Sequence, residues 1–318
     1  MAGAFDASDN GILIYHSGGN LRMTQLLWAM PGKAETQPLM LASVAESFGA
    51  LRLSPDGRRL LVAIGEPRAS LWMYDFSRGM KTRLTFSGGS ISTDSPMAWS
   101  PDGSLMAFTA SATGDSFYIK DVLGAKQPEE VWRAPALSGY RFVTDRSPDG
   151  KYLLFRNAQN AARPQLWILP VRGDRVPRPY LQPTALDGRF SPDGKWVAYE
   201  SDETGQSEIY VTSFPEAKGK WQLSTDGGFE PHWSRDGKNV VYRKGNELVA
   251  VSVIERPGEI EIGTSRSYLK TVRGFAGLRW GATWDLAPDG RVLINASVSE
   301  GESQNLTLLV NWMTGLKR

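Results

Sequence analysis

One phrase recurs along the whole chain: LSPDGRRLLVAI, WSPDGSLMAFTA, RSPDGKYLLFRN, FSPDGKWVAYES, WSRDGKNVVYRK and LAPDGRVLINAS, with a degenerate seventh copy, ASDNGILIYHS, near the start. The motif glycines are Gly11, Gly57, Gly103, Gly150, Gly194, Gly237 and Gly290, spaced by 46, 46, 47, 44, 43 and 53 residues. Fixed periods in this range are the signature of a repeat architecture. Within each copy the turn chemistry is explicit. Pro55, Pro101, Pro148, Pro192 and Pro288 preset φ for a tight turn. Asp56, Asp102, Asp149, Asp193, Asp236 and Asp289 follow, each able to bond its own backbone, and the glycine after each supplies a positive φ. Arg235 replaces proline in one copy but keeps the Asp-Gly pair. A Pro-Asp-Gly turn between β-rich runs is a hairpin signal, so these aspartates read as turn residues rather than as catalysts or metal ligands.

After each turn comes an apolar run such as Trp196-Val197-Ala198-Tyr199. A third run follows: SLWMYDF (70–76), SFYIKDV (116–122), QLWILPV (165–171), EIYVTSF (208–214) and ELVAVSV (247–253). A weaker fourth closes the unit: TRLTF (82–86), EEVWR (129–133), RPYLQ (178–182) and WQLST (221–225). Helical periodicity is almost absent. Four short strands per period predict an all-β chain, a β-propeller of four-stranded antiparallel blades, because radial repetition hides sheet edges. The residue before each turn is large, Leu53, Trp99, Phe190, Trp233 and Leu286, with Arg146 the exception, as stacking of blade on blade requires.

Seven motifs favour seven blades in a single domain over residues 1–318, with repeat units of about 1–45, 46–90, 91–136, 137–183, 184–226, 227–275 and 276–318. The last unit has three clear strands (282–287, 292–297, 305–312), so six blades with an appended hairpin is the alternative.

Composition supports a large core and excludes many chemistries. Hydrophobic residues are 41% of the chain, with 11 Trp, which excludes a disordered or collagen-like chain. The 36 basic and 34 acidic residues leave a net charge of +2 with no basic stripe, so nucleic acid is not an expected partner. Cysteine is absent, which removes disulfides, thiolates and Cys-ligated metals; with only His16 and His232, a His-cluster metal site is not expected either, and no cofactor is. No run approaches the length needed to span a bilayer, and MAGAFDASDNG lacks the basic-then-apolar order of a secretory signal. The chain contains no Gly-x-Ser-x-Gly, P-loop, His-Glu-x-x-His, His-Arg-Asp or Asp-Phe-Gly. Asp6, Ser8, Asn10 and Gly11 imitate half of an EF-hand, but Ser17 stands where calcium needs a bidentate Glu. The sequons at Asn295 and Asn305 read as coincidence.

The W-S-P-D-G repeat followed by an I-A-F/Y-type strand resembles the TolB-like, WD-like propeller family over nearly the whole chain. The flanking phrases SDNGILIYHSGG, SRGMKTRLTF, DGRFSPDGKWVAYESDETGQSEIYV and TLLVNWMTGLKR look like the C-terminal propeller of acidobacterial eukaryotic-like serine/threonine kinases. That resemblance implies a sensory or protein-binding module. It implies an extracytoplasmic location if the chain belongs to a membrane kinase and a cytoplasmic one if it stands free. Kinase activity does not carry over.

The expected function is therefore a non-catalytic, monomeric module that binds a protein or peptide. The alternative is a propeller hydrolase or lactonase with a central metal. Loops entering the innermost strands, on the face opposite the Pro-Asp-Gly turns, carry the candidate ligand-binding residues Glu46, Asp94, Tyr140, Asp187, Phe229, Glu230 and His232. Arg279 and Trp280, in the GLRWG stretch where the 53-residue spacing marks an insertion, are the favoured anchors. His232 is expected to be a hydrogen-bonded interior residue rather than a catalyst.

Overall fold

The computed structural model describes residues 5–7, 12–16, 23–33, 36–65, 69–85, 91–111, 115–135, 139–158, 163–182, 184–271, 274–276, 282–298 and 306–310. The repeated turn builds itself from its own side chains. In the first full copy, Asp56 Oδ1 accepts from Ser54 Oγ (2.5 Å) and from the backbone N–H of Arg58 (3.0 Å), while Ser54 Oγ accepts from Arg59 N–H (2.9 Å). The N–H of Gly57 returns to Ser54 O (2.8 Å). The same set recurs at Ser100/Asp102, Ser147/Asp149, Ser191/Asp193 and Ser234/Asp236. All six motif glycines from Gly57 onward have positive φ, from 66° to 85°. The aspartates of these five Ser-Asp turns are thus consumed in the turns, and the pKa values of Asp56, Asp102, Asp149, Asp193 and Asp236 are lowered, that of Asp102 to about 2 through its bonds to Ser100 and Ser104.

Each turn joins the first two strands of a four-stranded antiparallel sheet. Blade 1 comprises Phe48–Leu53, Arg59–Ile64, Ser70–Asp75 and Met80–Arg83. Blade 2 comprises Met97–Trp99, Leu105–Ser111, Asp115–Asp121 and Glu129–Arg133. Blade 3 comprises Tyr140–Arg146, Tyr152–Ala158, Gln165–Pro170 and Arg178–Leu181. Blade 4 comprises Ala185–Phe190, Trp196–Ser201, Glu208–Ser213 and Trp221–Gln222. Blade 5 comprises Phe229–Trp233, Asn239–Lys244, Glu247–Arg256 and Glu259–Lys270. Blade 6 is composite: Trp284–Leu286 and Val292–Ser297 come from the last repeat, Thr24–Ala29 and Thr36–Pro38 from the first.

The expectation of seven blades is therefore corrected to six. The count of turns overstated the count of blades because the first repeat is divided. Its early strands enter a separate three-stranded sheet, in which Ile12–His16 pairs with Phe5–Ala7 on one side and Leu306–Val310 on the other. Its later strands complete blade 6 in register Ile294↔Leu27 and Ala29↔Thr36. Of the run expected at 305–312, the described part, Leu306–Val310, thus belongs to the separate sheet and is not the third strand of the last blade. The alternative of six blades with an appendage is the closer description.

Apolar residues follow the radius of this disc. Second strands are covered on both faces by the neighbouring blades, as in Trp196–Ser201, buried at every position, Glu200 included. Outermost strands such as Met80–Arg83 are mostly exposed. The described core consists of six clusters, one at each junction of adjacent blades; Leu154, Leu166 and Ile168 of blade 3 meet Phe190, Val197 and Tyr199 of blade 4, for example. Asn295, one of the two sequon residues, is buried there and donates to Phe48 O (2.9 Å) and Gly49 O (3.0 Å). No helix among the described residues is long and apolar enough to cross a membrane.

Candidate binding site at the propeller axis

The residue just before the large one in each motif lies at the end of the innermost strand. Around the ring these positions are Arg52, Ala98, Asp145, Arg189, His232 and Asp285. Ala98 packs into the core between blades 2 and 3. The other five line an axial pocket of about 490 Å³. Its wall mixes apolar and polar groups: Leu53, Trp99, Phe190, Trp233 and Leu286 alternate with Ser54, Ser100, Arg146 and Ser191, and the motif prolines and Arg235 also line it. The Arg235 guanidinium reaches from blade 5 to the carbonyl of Pro55 in blade 1.

The charges in this ring are spent on one another and on the backbone. Arg52 Nη2 donates to Asp145 Oδ1 (3.0 Å), and its Nη1 lies 3.9 Å from Asp285 Oδ1. Asp145 Oδ2 accepts from Phe190 N–H (2.9 Å), and Asp285 Oδ2 from Leu53 N–H (2.7 Å), so each carboxylate pins the next blade's innermost strand. Trp99 and Trp233 make the reverse link, donating from Nε1 to Arg52 O and Arg189 O of the preceding blades (3.1 Å each). Burial works against the charge of Asp285, but Arg52 and the hydrogen bond from His232 outweigh it and hold the carboxyl well below its usual range. Burial also opposes the Arg52 charge, and Asp285 and Asp145 again prevail, raising its pKa.

His232 Nδ1 sits 3.0 Å from Asp285 Oδ1 and 3.4 Å from Arg52 Nη1. Burial is the main force on this ring and pushes its pKa down to about 4, against the pull of Asp285. The imidazole is therefore neutral near neutral pH, and the shorter contact assigns its proton to Nδ1. Nε2 has no partner among the described residues. Arg189 donates from Nη1 to Thr144 O and to Gly188 O (3.3 Å), while its Nε has no acceptor among the described residues. Burial, then the charge of Arg52, lowers the pKa of Arg189.

A second polar tier lies at the entry end of the innermost strands. Glu230 adopts φ 51°, in the left-handed region, and accepts from Thr283 N–H (2.9 Å), Thr283 Oγ1 (2.7 Å) and Arg243 Nη2 (3.0 Å). Arg156 Nη1 lies 3.8 Å from Asp187 Oδ1. Glu200 accepts from Ser207 Oγ (2.9 Å) and from the N–H of Glu230 (3.4 Å). Burial, then the neighbouring Asp187, pushes its pKa up to about 8.

Of the residues singled out from sequence, Asp187, Glu230 and His232 are buried around the axis. The others do not join them. Glu46 pairs with Lys81 on an outer strand (2.7 Å). Tyr140 is exposed and stacks on Phe142 (6.3 Å between centroids), and Phe229 lies under Arg243 (5.3 Å) at the start of its strand. Asp94 is half-buried in the approach to blade 2. Arg279 and Trp280 lie outside the described residues. Sequence reasoning missed Arg52, Asp145, Arg189 and Asp285. The signal was available, since all four occupy one fixed position of the repeat. No group of three or more His, Asp or Glu among the described residues is arranged to hold a metal ion.

No protein-family model matches the chain, and no curated protein does. Solved structures do. A putative TolB from Agrobacterium tumefaciens matches at 18% identity and TM-score 0.65, over 87% of this chain and 99% of that one. TolB from Acinetobacter baumannii matches at 17% identity and TM-score 0.56, over 92% of this chain and 79% of that one. A putative 6-phosphogluconolactonase from Bacteroides uniformis matches at 17% identity and TM-score 0.51, over 85% and 87% of the two chains. At these identities the likeness establishes a TolB-like propeller fold and no more.

Proposed function

We propose that this chain is a non-catalytic binding propeller whose axial pocket receives a side chain or loop of a protein partner. The observation that carries the reading is the state of the axial groups. Arg52, Asp145 and Asp285 are held by one another and by backbone N–H groups, and aromatic and aliphatic side chains stand beside serines and arginines in the walls around them. Fixed polar groups set among aromatic side chains in a concave pocket suit recognition. His232 and Asp285 resemble the base half of a catalytic triad, yet among the described residues no Ser, Thr or Lys hydrogen-bonds to Nε2. A base with a pKa near 4 is also poorly matched to proton abstraction at neutral pH. The phrases shared with kinase-linked propellers extend the proposal to a sensory role in a larger signalling protein. The lactonase likeness keeps a hydrolase as the second reading.

The test uses the repeat itself. Leu286 stands where Trp99 and Trp233 stand in blades 2 and 5, so Leu286→Trp is a residue the motif already accommodates. It adds an indole to the pocket wall. The expected result is a folded protein whose capture of its partner falls at least about tenfold. Undiminished capture moves the site away from the axis. Turnover of a lactone panel by the wild-type chain, abolished by Leu286→Trp, establishes the hydrolase instead.

A further inference from the structure

The chain departs from its own repeat at two positions around the axis, and both departures are arginines. Five of the six blade turns hold proline at their second position, and the sixth holds Arg235. Five hold a large apolar residue two places earlier, and the sixth holds Arg146. Proline at 235 would preset the turn, and an apolar residue at 146 would pack blade on blade. Each arginine therefore forgoes a local contribution to stability. Both line the axial pocket. Breaches of the local rule that converge on one cavity from two blades point to a ligand, not to the needs of the ring.

The charges give the sign of that ligand. The pocket collects four guanidinium groups, Arg52, Arg146, Arg189 and Arg235, against the two carboxylates of Asp145 and Asp285. His232 is neutral, and none of the motif aspartates lines the pocket. Both lining carboxylates are committed, to Arg52, to His232 and to backbone N–H groups. Arg146, Arg189 and Arg235 rest instead on backbone carbonyls, Gly150 O, Thr144 O and Pro55 O, and form no ion pair among the described residues. Four cations less two anions leave an excess of two positive charges, in a cavity whose aromatic walls screen them weakly. Burial lowers the pKa values of Arg146 and Arg189, as expected of cations without a counter-ion. Arg235 is exposed at the mouth, where the Pro55 carbonyl engages one end of its fork. An ammonium adds to the excess and a neutral group leaves it unanswered. A carboxylate offsets it and matches the geometry of a guanidinium.

We propose that the axial pocket is an anion subsite, in which Arg235 meets a carboxylate of the partner at the mouth and the charge of Arg146 helps to hold it. This rests on the reading of the pocket as the binding site and goes further, to the sign and chemistry of what enters. The carboxylate comes from an acidic side chain or from a chain terminus, and the probes separate the two.

Arg235→Pro installs the residue of the other five turns. It also deletes one guanidinium signal and so assigns the Arg235 Nε–H resonance in nitrogen NMR of the intact protein. The probes are the N-acetyl N-methylamides of glutamate, glutamine and lysine, with N-acetylalanine supplying a free terminus, titrated at low salt and neutral pH. The glutamate derivative, or N-acetylalanine where the source is a terminus, is expected to move the Arg235 resonance. It should bind at least about tenfold more tightly than the glutamine derivative. That preference should fall at least about fivefold in Arg235→Pro and shrink as salt is raised. Arg235→Gln, which keeps a donor and removes the charge, gives the same comparison where proline disturbs the turn. Equal binding of the glutamine or lysine derivative overturns the anion subsite. An undiminished preference in both Arg235 variants also overturns it. If no probe moves Arg235, the subsite is rejected, while the axial reading stands or falls separately on partner capture by Leu286→Trp.

Discussion

His232 and Glu200 are both buried and both neutral near neutral pH, but for opposite reasons. Burial lowers a base and raises an acid. His232 drops from 6.5 to about 4, so the unfolded chain binds a proton that the folded chain refuses. That contribution to stability is present above the unfolded value and is lost as pH falls through about 4. Glu200 rises from 4.5 to about 8, so its contribution is present below 4.5 and is lost as pH rises through about 8. Glu200→Gln is therefore expected to flatten the decline in stability between pH 4.5 and 8. At neutral pH it should raise stability by about 1–3 kcal/mol, one pKa unit being worth about 1.4 kcal/mol. Urea unfolding across this range measures it; a variant that is less stable at neutral pH contradicts the neutral, buried assignment.

At the scale of the element, the repeated turn has two roles, and only one is local. Its positive-φ glycine permits the hairpin, but the same glycine meets the proline of the preceding blade's turn. A Cβ on Gly194 would lie 3.5 Å from Pro148 Cδ, on Gly237 3.7 Å from Pro192 Cδ, and on Gly57 2.6 Å from Pro288 Cδ. Proline and glycine thus interlock from blade to blade around the rim. Gly79 has a similar φ of 63° but open space around it. Gly79→Ala should cost about 1 kcal/mol from backbone strain alone. Gly57→Ala adds overlap with Pro288 and should cost about 1–3 kcal/mol more. Equal losses for the two variants in denaturant titrations would mean that the interlock carries no energy.

For the molecule as a whole, the decisive event is closure. Thr24–Ala29 pairs with Val292–Ser297 across nearly the full length of the chain, burying Leu26 and Leu27 against Leu293 and Ile294. The sheet made by Phe5–Ala7, Ile12–His16 and Leu306–Val310 is separate from all six blades. A chain trimmed to residues 23–298 is expected to keep one cooperative thermal transition. Trimming further, to residue 39, removes the two outer strands of blade 6 and strips cover from Leu293 and Ile294. The loss should be several kcal/mol, by the cost of exposing buried aliphatic residues, and cooperativity should break down. Calorimetry of the two trimmed chains decides it; unchanged unfolding of the shorter chain would mean that closure is not what holds the ring.

The repeat by itself determined the strand sequence, the turns and the all-β blade. Those depend on local chemistry, on proline, aspartate and glycine at adjacent positions and on apolar runs of strand length. It did not determine the number of blades, because a turn motif marks a hairpin whether or not the hairpin enters a blade. Only the long-range pairing of residues 24–29 with 292–297 assigns the two ends of the chain. The site was legible in part. Asp187, Glu230 and His232 stood out as polar residues entering inner strands. Arg52, Asp145, Arg189 and Asp285 looked like scattered charges among Leu, Phe and Trp, since they are separated along the chain by tens of residues. Each contributes one charge from a different strand, and only the closing of six inner strands around one axis brings those charges within hydrogen-bonding reach.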